Sequence, residues 1–433
     1  MKGDKKIALS IFTAALIIRL TFGVFLLPET YRTPSGDAHE YDLLARNLMA
    51  GRGLTDGKNY SQRVPMYPLF LAAIYSIFGH HYPIVRFLQS LLGVLVCFLI
   101  YRIGTMTYGP SVGLISASLS AIYPPFIRYL YFGGPGFLLS ENLLMPLLAV
   151  SVLYFLYLAD GRGPLFAGGA GLFLGLSALT RPEVAFLVFC LIFWLIFFSN
   201  TRRQYAVRQS FILLAVFFTV LLPWVARNYR IHHRVIVLTT KLGEGLSSTN
   251  NAAARGGYVA WELNPNYDPK AYEGLSELDR NQAMIRDAVG YLQTHSLRIP
   301  ELALRKVLVH WNVFVHIAPG KTSYNVGYAI VLMLAVIGFI SSWRASLHKG
   351  TTLLLSLFVY FTIAAVIICG DTRYRTPSID PYLLVLAGAG IFYLFQHLGW
   401  KQGAPLVGAI VFLNGTALLF WDHLYPFIHR LTP

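Results

Sequence analysis

The stretch Ser35-Gly36-Asp37-Ala38-His39-Glu40-Tyr41-Asp42 sets three carboxylates and an imidazole within six positions of a mostly apolar chain. It follows an apolar run at about residues 7–27, long enough to cross a bilayer. A carboxylate at such a boundary meets lipid-borne and water-soluble reactants together, and can take a proton from an attacking hydroxyl. Asp37 is the residue we assign to that role. Further charged groups stand beside other apolar runs: Glu141, Arg181, Glu183, Arg227, Arg230, Asp371, Arg373 and Arg375. Ionisable groups at membrane depth are costly and tend to pair or to serve a site.

Each of these residues has a simpler structural reading. Asp37 with Glu40 fits an Asp-x-x-Glu capping box, and Thr180-Arg181-Pro182-Glu183 fits one still better. Glu141 could complement a helix dipole. Arg373 and Arg375 could snorkel, or pair with Asp371 or Asp380. Asp42 reads as a solvated helix face, and Arg19 as an arginine paired inside the bundle. One His among loosely spaced acids is a weak metal pattern, so no metal or other cofactor is expected at His39.

The elements that must hold these groups are membrane helices. Of 433 residues, 55% are hydrophobic and only 13% charged, with mean hydropathy +0.55. Too few charges are present to cover a water-facing surface of this size, so the expectation is an all-α polytopic membrane protein. Cys97, Cys190 and Cys369 lie far apart in apolar runs and read as buried thiols. Hydropathy gives about eleven transmembrane helices, near 7–27, 84–103, 111–131, 138–158, 165–181, 184–199, 210–226, 323–342, 351–369, 378–398 and 404–421. With the N-terminus inside, the cytoplasmic loops hold Arg102, Arg162, Arg202, Arg203, Arg208, Arg344, Lys349 and Lys401 against one acid, Asp160. That asymmetry puts residues 28–83, 227–322 and 370–377 on the outer face.

Three regions follow. Residues 1–226 form an N-terminal transmembrane module whose first outer loop, 28–83, carries Asp37. Residues 227–322 form a large outer loop, and 323–433 a C-terminal transmembrane module. Helical spacing over 37–50, 66–78, 277–294 and 300–316 marks juxtamembrane or outer helices. Gly171 and Gly175 form a Gly-x-x-x-Gly pair suited to close helix packing.

A base at the boundary with several arginines suits transfer of a sugar from a lipid phosphate to a hydroxyl. Arginine's planar fork matches phosphate oxygens, and a lipid tail can stay in the bilayer. At Gly36–Tyr41, Arg63-Val64-Pro65-Met66-Tyr67-Pro68, Ser140-Glu141-Asn142, Leu179-Thr180-Arg181-Pro182-Glu183, Pro223–Tyr229, Thr249-Asn250-Asn251-Ala252 and Arg373-Tyr374-Arg375-Thr376-Pro377 the chain resembles the GT-C superfamily of membrane glycosyltransferases. It is most similar to the branch of protein O-mannosyltransferases and lipid A aminoarabinose transferases, including prokaryotic relatives.

The resemblance implies a GT-C fold in the inner (cytoplasmic) membrane, a polyprenyl-phosphate sugar donor and inverting transfer. Asp37 would be the base and Glu141 a second catalytic acid. Arg373, Arg375, Arg181 and Arg227 would hold the donor phosphate, while Arg63, Tyr67, Glu183 and Tyr374 would shape the substrate site. The acceptor would be a glycan, a glycolipid or a protein, with no metal and no nucleic-acid partner. The alternative is a transporter or flippase of lipid-linked sugars, which calls for midplane charges and an inverted repeat.

Overall fold

A computed structural model of the chain describes residues 2–25, 34–131, 138–259, 264, 268–318, 321–344 and 349–419. Among the described residues its regular structure is helical, apart from one two-stranded ribbon. The expected site at 37–42 is described in full. The first residues of the 28–83 loop and the end of the 404–421 span lie outside the described residues.

Seven helices among the described residues are long and apolar enough to cross a membrane. These are α1 (Lys2–Leu20, prolonged by a π-helical turn to Phe25), α4 (Tyr82–Tyr108), α7 (Glu141–Ala159), α10 (Arg203–His232), α14 (Val326–Arg344), α15 (Lys349–Ile367) and α17 (Asp380–Leu419). Gly399, at φ 67° and ψ 174°, breaks α17 into two helices, in keeping with the two spans expected at 378–398 and 404–421.

The other three expected spans fold as shorter pieces. Pro124 divides 111–131 into α5 (Pro110–Ile122) and α6 (Pro124–Tyr131), with Tyr123 extended between them. The stretches near 165–181 and 184–199 become α8 (Pro164–Ala178) and α9 (Leu187–Phe197), separated by a short turn. The expected boundary at residue 226 falls inside α10, which continues to His232.

Helix α7 lies at the centre, its side chains buried on every side, as an all-round apolar helix must be. Close approach depends on glycine where helix backbones meet. A Cβ on Gly171 of α8 would strike the Leu213 carbonyl of α10, and one on Gly338 of α14 the Leu386 carbonyl of α17. Around one end of the bundle lie α2 (Asp37–Met49), α3 (Met66–Phe78), α11 (Leu242–Thr249), α12 (Glu277–Thr294), α13 (Arg298–His310) and the short α16 (Thr372–Ser378). Helix α13 stops at His310, short of the expected 316. The chain turns at Asn312, whose Oδ1 accepts from the Phe314 amide at 3.0 Å. It then enters β1 (Phe314–Ala318), paired antiparallel with β2 (Lys321–Tyr324).

Candidate active site

Gly36 takes a positive φ of 54°, turning the chain so that Asp37 is the first residue of α2. No side chain caps this helix, so the expected Asp-x-x-Glu box does not form. Both carboxylates reach across to Arg63 instead. Arg63 Nη2 lies 2.5 Å from Asp37 Oδ1 and 2.7 Å from Glu40 Oε2. The Arg63 guanidinium also stands over the Tyr41 ring, 5.1 Å from its centroid.

The second half of the site comes from the other end of the sequence. Asp371 caps α16 by accepting from the Arg373 amide at 2.8 Å. The Arg373 side chain then spans two acids, with Nη1 2.6 Å from Asp37 Oδ2 and Nε 2.5 Å from Glu141 Oε1. Glu141, at the start of α7, is fully buried. Its Oε1 also meets Arg181 Nη1 at 2.8 Å, and Arg181 in turn pairs with Glu183. Tyr374 lies beneath the Arg181 guanidinium at 4.7 Å. Thr180 donates its hydroxyl back to the Leu176 carbonyl, so the capping box expected at 180–183 is replaced by this ion pair.

The result is one alternating row: Glu40, Arg63, Asp37, Arg373, Glu141, Arg181, Glu183. It is open at Glu40, Asp37 and Arg373 and closed from Glu141 to Glu183. Side-chain exposure is 28% for Asp37 and 36% for Arg373, against 8% for Arg181 and none for Glu141. Burial alone would push the Asp37 carboxyl up. The opposing charges of Arg63 and Arg373, with Lys241 adding to them, outweigh burial and hold it well below the usual carboxylate range. The same pairs hold Arg63 and Arg373 protonated above the usual guanidinium range, against the opposing effect of burial.

Six of the residues expected at the site therefore converge, and Tyr374 supports them. Tyr67 forms part of the floor: it is buried, meets Tyr41 edge-on at 5.0 Å, and accepts from Gln89 Nε2 at 2.6 Å. Two expected phosphate ligands are not in the row. Arg375 is buried and committed to Asp380 at 2.9 Å, to the His310 and Asn312 carbonyls, and to the Tyr328 ring. Arg227 donates to the Leu54 and Tyr60 carbonyls and stacks on Trp224, fastening the 54–61 loop.

Asp42 departs furthest from expectation. It is buried rather than solvated, and takes bonds from Tyr75 at 2.7 Å, His80 at 2.8 Å, Arg46 at 2.9 Å and Tyr82 at 3.3 Å. Lys241 and Ser140 were not expected near the row. Ser140 links Tyr41 to Glu141 at 3.3 and 3.2 Å, and the motif Ser140-Glu141-Asn142 already contained it. Lys241 carries no local signal. No group of three His, Cys, Asp or Glu side chains that could hold a metal ion occurs among the described residues.

Residues 62–226 match the dolichyl-phosphate-mannose-protein mannosyltransferase family. That segment includes Arg63, Glu141, Arg181 and Glu183. The structure superposes on the apo oligosaccharyltransferase of Archaeoglobus fulgidus with a TM-score of 0.62 at 14% identity, covering 95% of this chain and 55% of that one. The chain has the GT-C fold. A second structure of that archaeal oligosaccharyltransferase, AglB, in complex with an inhibitory peptide and a dolichol-phosphate, gives 0.58 at 14% identity, covering 95% and 54%. ArnT from Cupriavidus metallidurans, bound to undecaprenyl phosphate, gives 0.49 at 13% identity, covering 95% and 64%. The chain spans about half the length of the archaeal structures it matches. No curated protein matches it.

Proposed function

We propose that this GT-C chain is a membrane glycosyltransferase. It moves a sugar from a polyprenyl phosphate to an acceptor hydroxyl on the outer face of the cell membrane, with inversion and with Asp37 as general base. The observation that carries this reading is the position of Asp37 between Arg63 and Arg373, at the open part of the row. A base and two phosphate-matching cations share one place, which is what the chemistry requires. The dolichol-phosphate complex of the similar archaeal enzyme supports a lipid-phosphate donor. The outer-face assignment rests on the positive loops, among which Lys349 pairs with Asp160.

With both oxygens held by arginine, Asp37 is a poor base. A donor phosphate draws Arg63 and Arg373 onto its own oxygens and so frees the carboxylate. The acceptor oxygen then bonds to the anomeric carbon from the face opposite the phosphate, while its proton passes to Asp37. The bond from that carbon to the phosphate oxygen breaks, and its electron pair leaves with the lipid phosphate. Glu141, buried and shared by Arg373 and Arg181, keeps Arg373 in place when Asp37 lets go. In this reading guanidinium groups meet the phosphate charge, and no metal is called for.

The test is Asp37→Asn in proteoliposomes with a labelled polyprenyl-phosphate sugar. Transfer is expected to fall by roughly 10²–10⁴-fold with thermal stability near wild type, the usual weight of a general base. Wild-type transfer is expected to survive chelation of divalent ions. Retained transfer by Asp37→Asn would remove Asp37 as the base.

A further inference from the structure

Below the row, helices α1, α4, α6 and α7 enclose a small cavity whose polar lining is Arg19, Gln89 and Asn142. All three are at least nine-tenths buried, with exposures of 1%, 1% and 5%. Gly93 makes room for the arginine: a Cβ there would stand 2.6 Å from Arg19 Nε. The two terminal nitrogens of Arg19 are spent on backbone, donating to the Ala15, Ser120 and Ala121 carbonyls at 3.0–3.3 Å. Gln89 spends its amide nitrogen on the Tyr67 hydroxyl.

Each residue has one fully buried polar atom left without a partner. Arg19 Nε, Asn142 Nδ2 and Gln89 Oε1 have no hydrogen-bond partner among the described residues, and all three belong to side chains lining this cavity. Buried polar atoms in folded proteins are nearly always satisfied, so three orphans around one cavity call for a shared partner. The set comprises two donors and one acceptor. A water oxygen accepts from two donors while one of its protons goes to an acceptor, and the cavity has room for about one water.

We infer that the cavity is a binding site for a single resident water, which accepts from Arg19 and Asn142 and donates to Gln89. The site joins α1 to the floor of the row. Asn142 directly follows Glu141, and Gln89 fixes the hydroxyl of Tyr67, on whose ring Tyr41 rests. Gln89 and Asn142 are thus positioning residues beneath the charged cluster, and Arg19, within the first span, finds its remaining partner there. This inference holds whether or not the chain transfers sugars.

Two experiments test it on the full chain. The first is an experimental structure, determined in bromide buffer at a resolution that shows ordered water. Density is expected within hydrogen-bond distance of all three atoms, with no anomalous signal. An anomalous bromide peak would make the site an anion site, and direct pairing of the three side chains with no density between them would abolish it; either overturns the proposal.

The second is a double-mutant cycle of Gln89→Leu and Asn142→Leu, read as thermal stability. Residues that share one partner couple, so the second substitution is expected to lower the melting temperature less than it does alone. Strict additivity would overturn the shared water.

Discussion

Arg373 and Arg375 stand two residues apart on α16 and do opposite things. Arg373 lies on the open side, shared between Asp37 and Glu141, with 36% of its side chain exposed. Arg375 is 1% exposed and holds Asp380, two backbone carbonyls and an aromatic face. Across from Arg375, α13 buries a second cation. Lys306 is held by Asn250 Oδ1 at 3.0 Å, and His310 lends its carbonyl to Arg375. A cation with several fixed partners secures the fold, whereas one shared between two carboxylates at an opening can change partners at little cost.

The sharpest way to break this contrast is Arg375→Met. Removing one member of a buried ion pair strands the other, at a cost of about 3–5 kcal/mol. Asp380 would be left buried beside Tyr123, and we expect a large loss of thermal stability in detergent with little folded protein recovered. A near-wild-type melting curve would show that the two faces of α16 do not differ.

Arg373→Ala is expected to act differently. Glu141 keeps Arg181, so the fold should survive, while the donor KM rises roughly 10- to 100-fold, the value of a charged hydrogen bond of about 1.5–3 kcal/mol. An unchanged KM would deny Arg373 any part in donor binding.

The smallest effect is expected at Lys306. Burial, only partly offset by Cys369, lowers its ammonium to about 8 from its ordinary value of 10.5. Between those values the unfolded chain binds more protons than the folded one, so this group's contribution to stability rises with pH. Below about 8 the ammonium is charged in both states and the full burial cost is present. Lys306→Met should therefore melt higher than wild type at neutral pH, and the difference should shrink as the pH climbs through that window. A difference independent of pH would count against a buried ammonium.

Much of the row was legible in the sequence, because charged residues beside apolar runs must gather where water is. Asp37, Glu141, Arg181, Glu183 and Arg373 were all marked by that rule. Which way each side chain faces was not legible. Read as a loop, 370–377 gives Arg373 and Arg375 equal standing. As a helix capped by Asp371, it turns two residues by about 200°, sending the two arginines to opposite sides. The same reasoning misplaced Asp42, which α2 carries round to Tyr75 and His80 while Asp37 looks toward Arg63. Lys241 reaches the site through the tertiary fold alone, and the meeting of Gly338 with α17 likewise depends on which helices become neighbours.

The clasp on Asp37 also bears on how a turnover ends. Under the proposed reaction the step finishes with Asp37 protonated and the lipid phosphate carrying one more negative charge. A neutral carboxyl no longer competes for Arg63 and Arg373, so the spent lipid is held most firmly just after transfer. Its departure then waits on a proton leaving Asp37 for water. Once ionised, Asp37 reclaims both guanidiniums and the spent lipid loses its grip. The ion pairs that keep the idle base masked would therefore also eject the product, tying the release rate to the proton's way out.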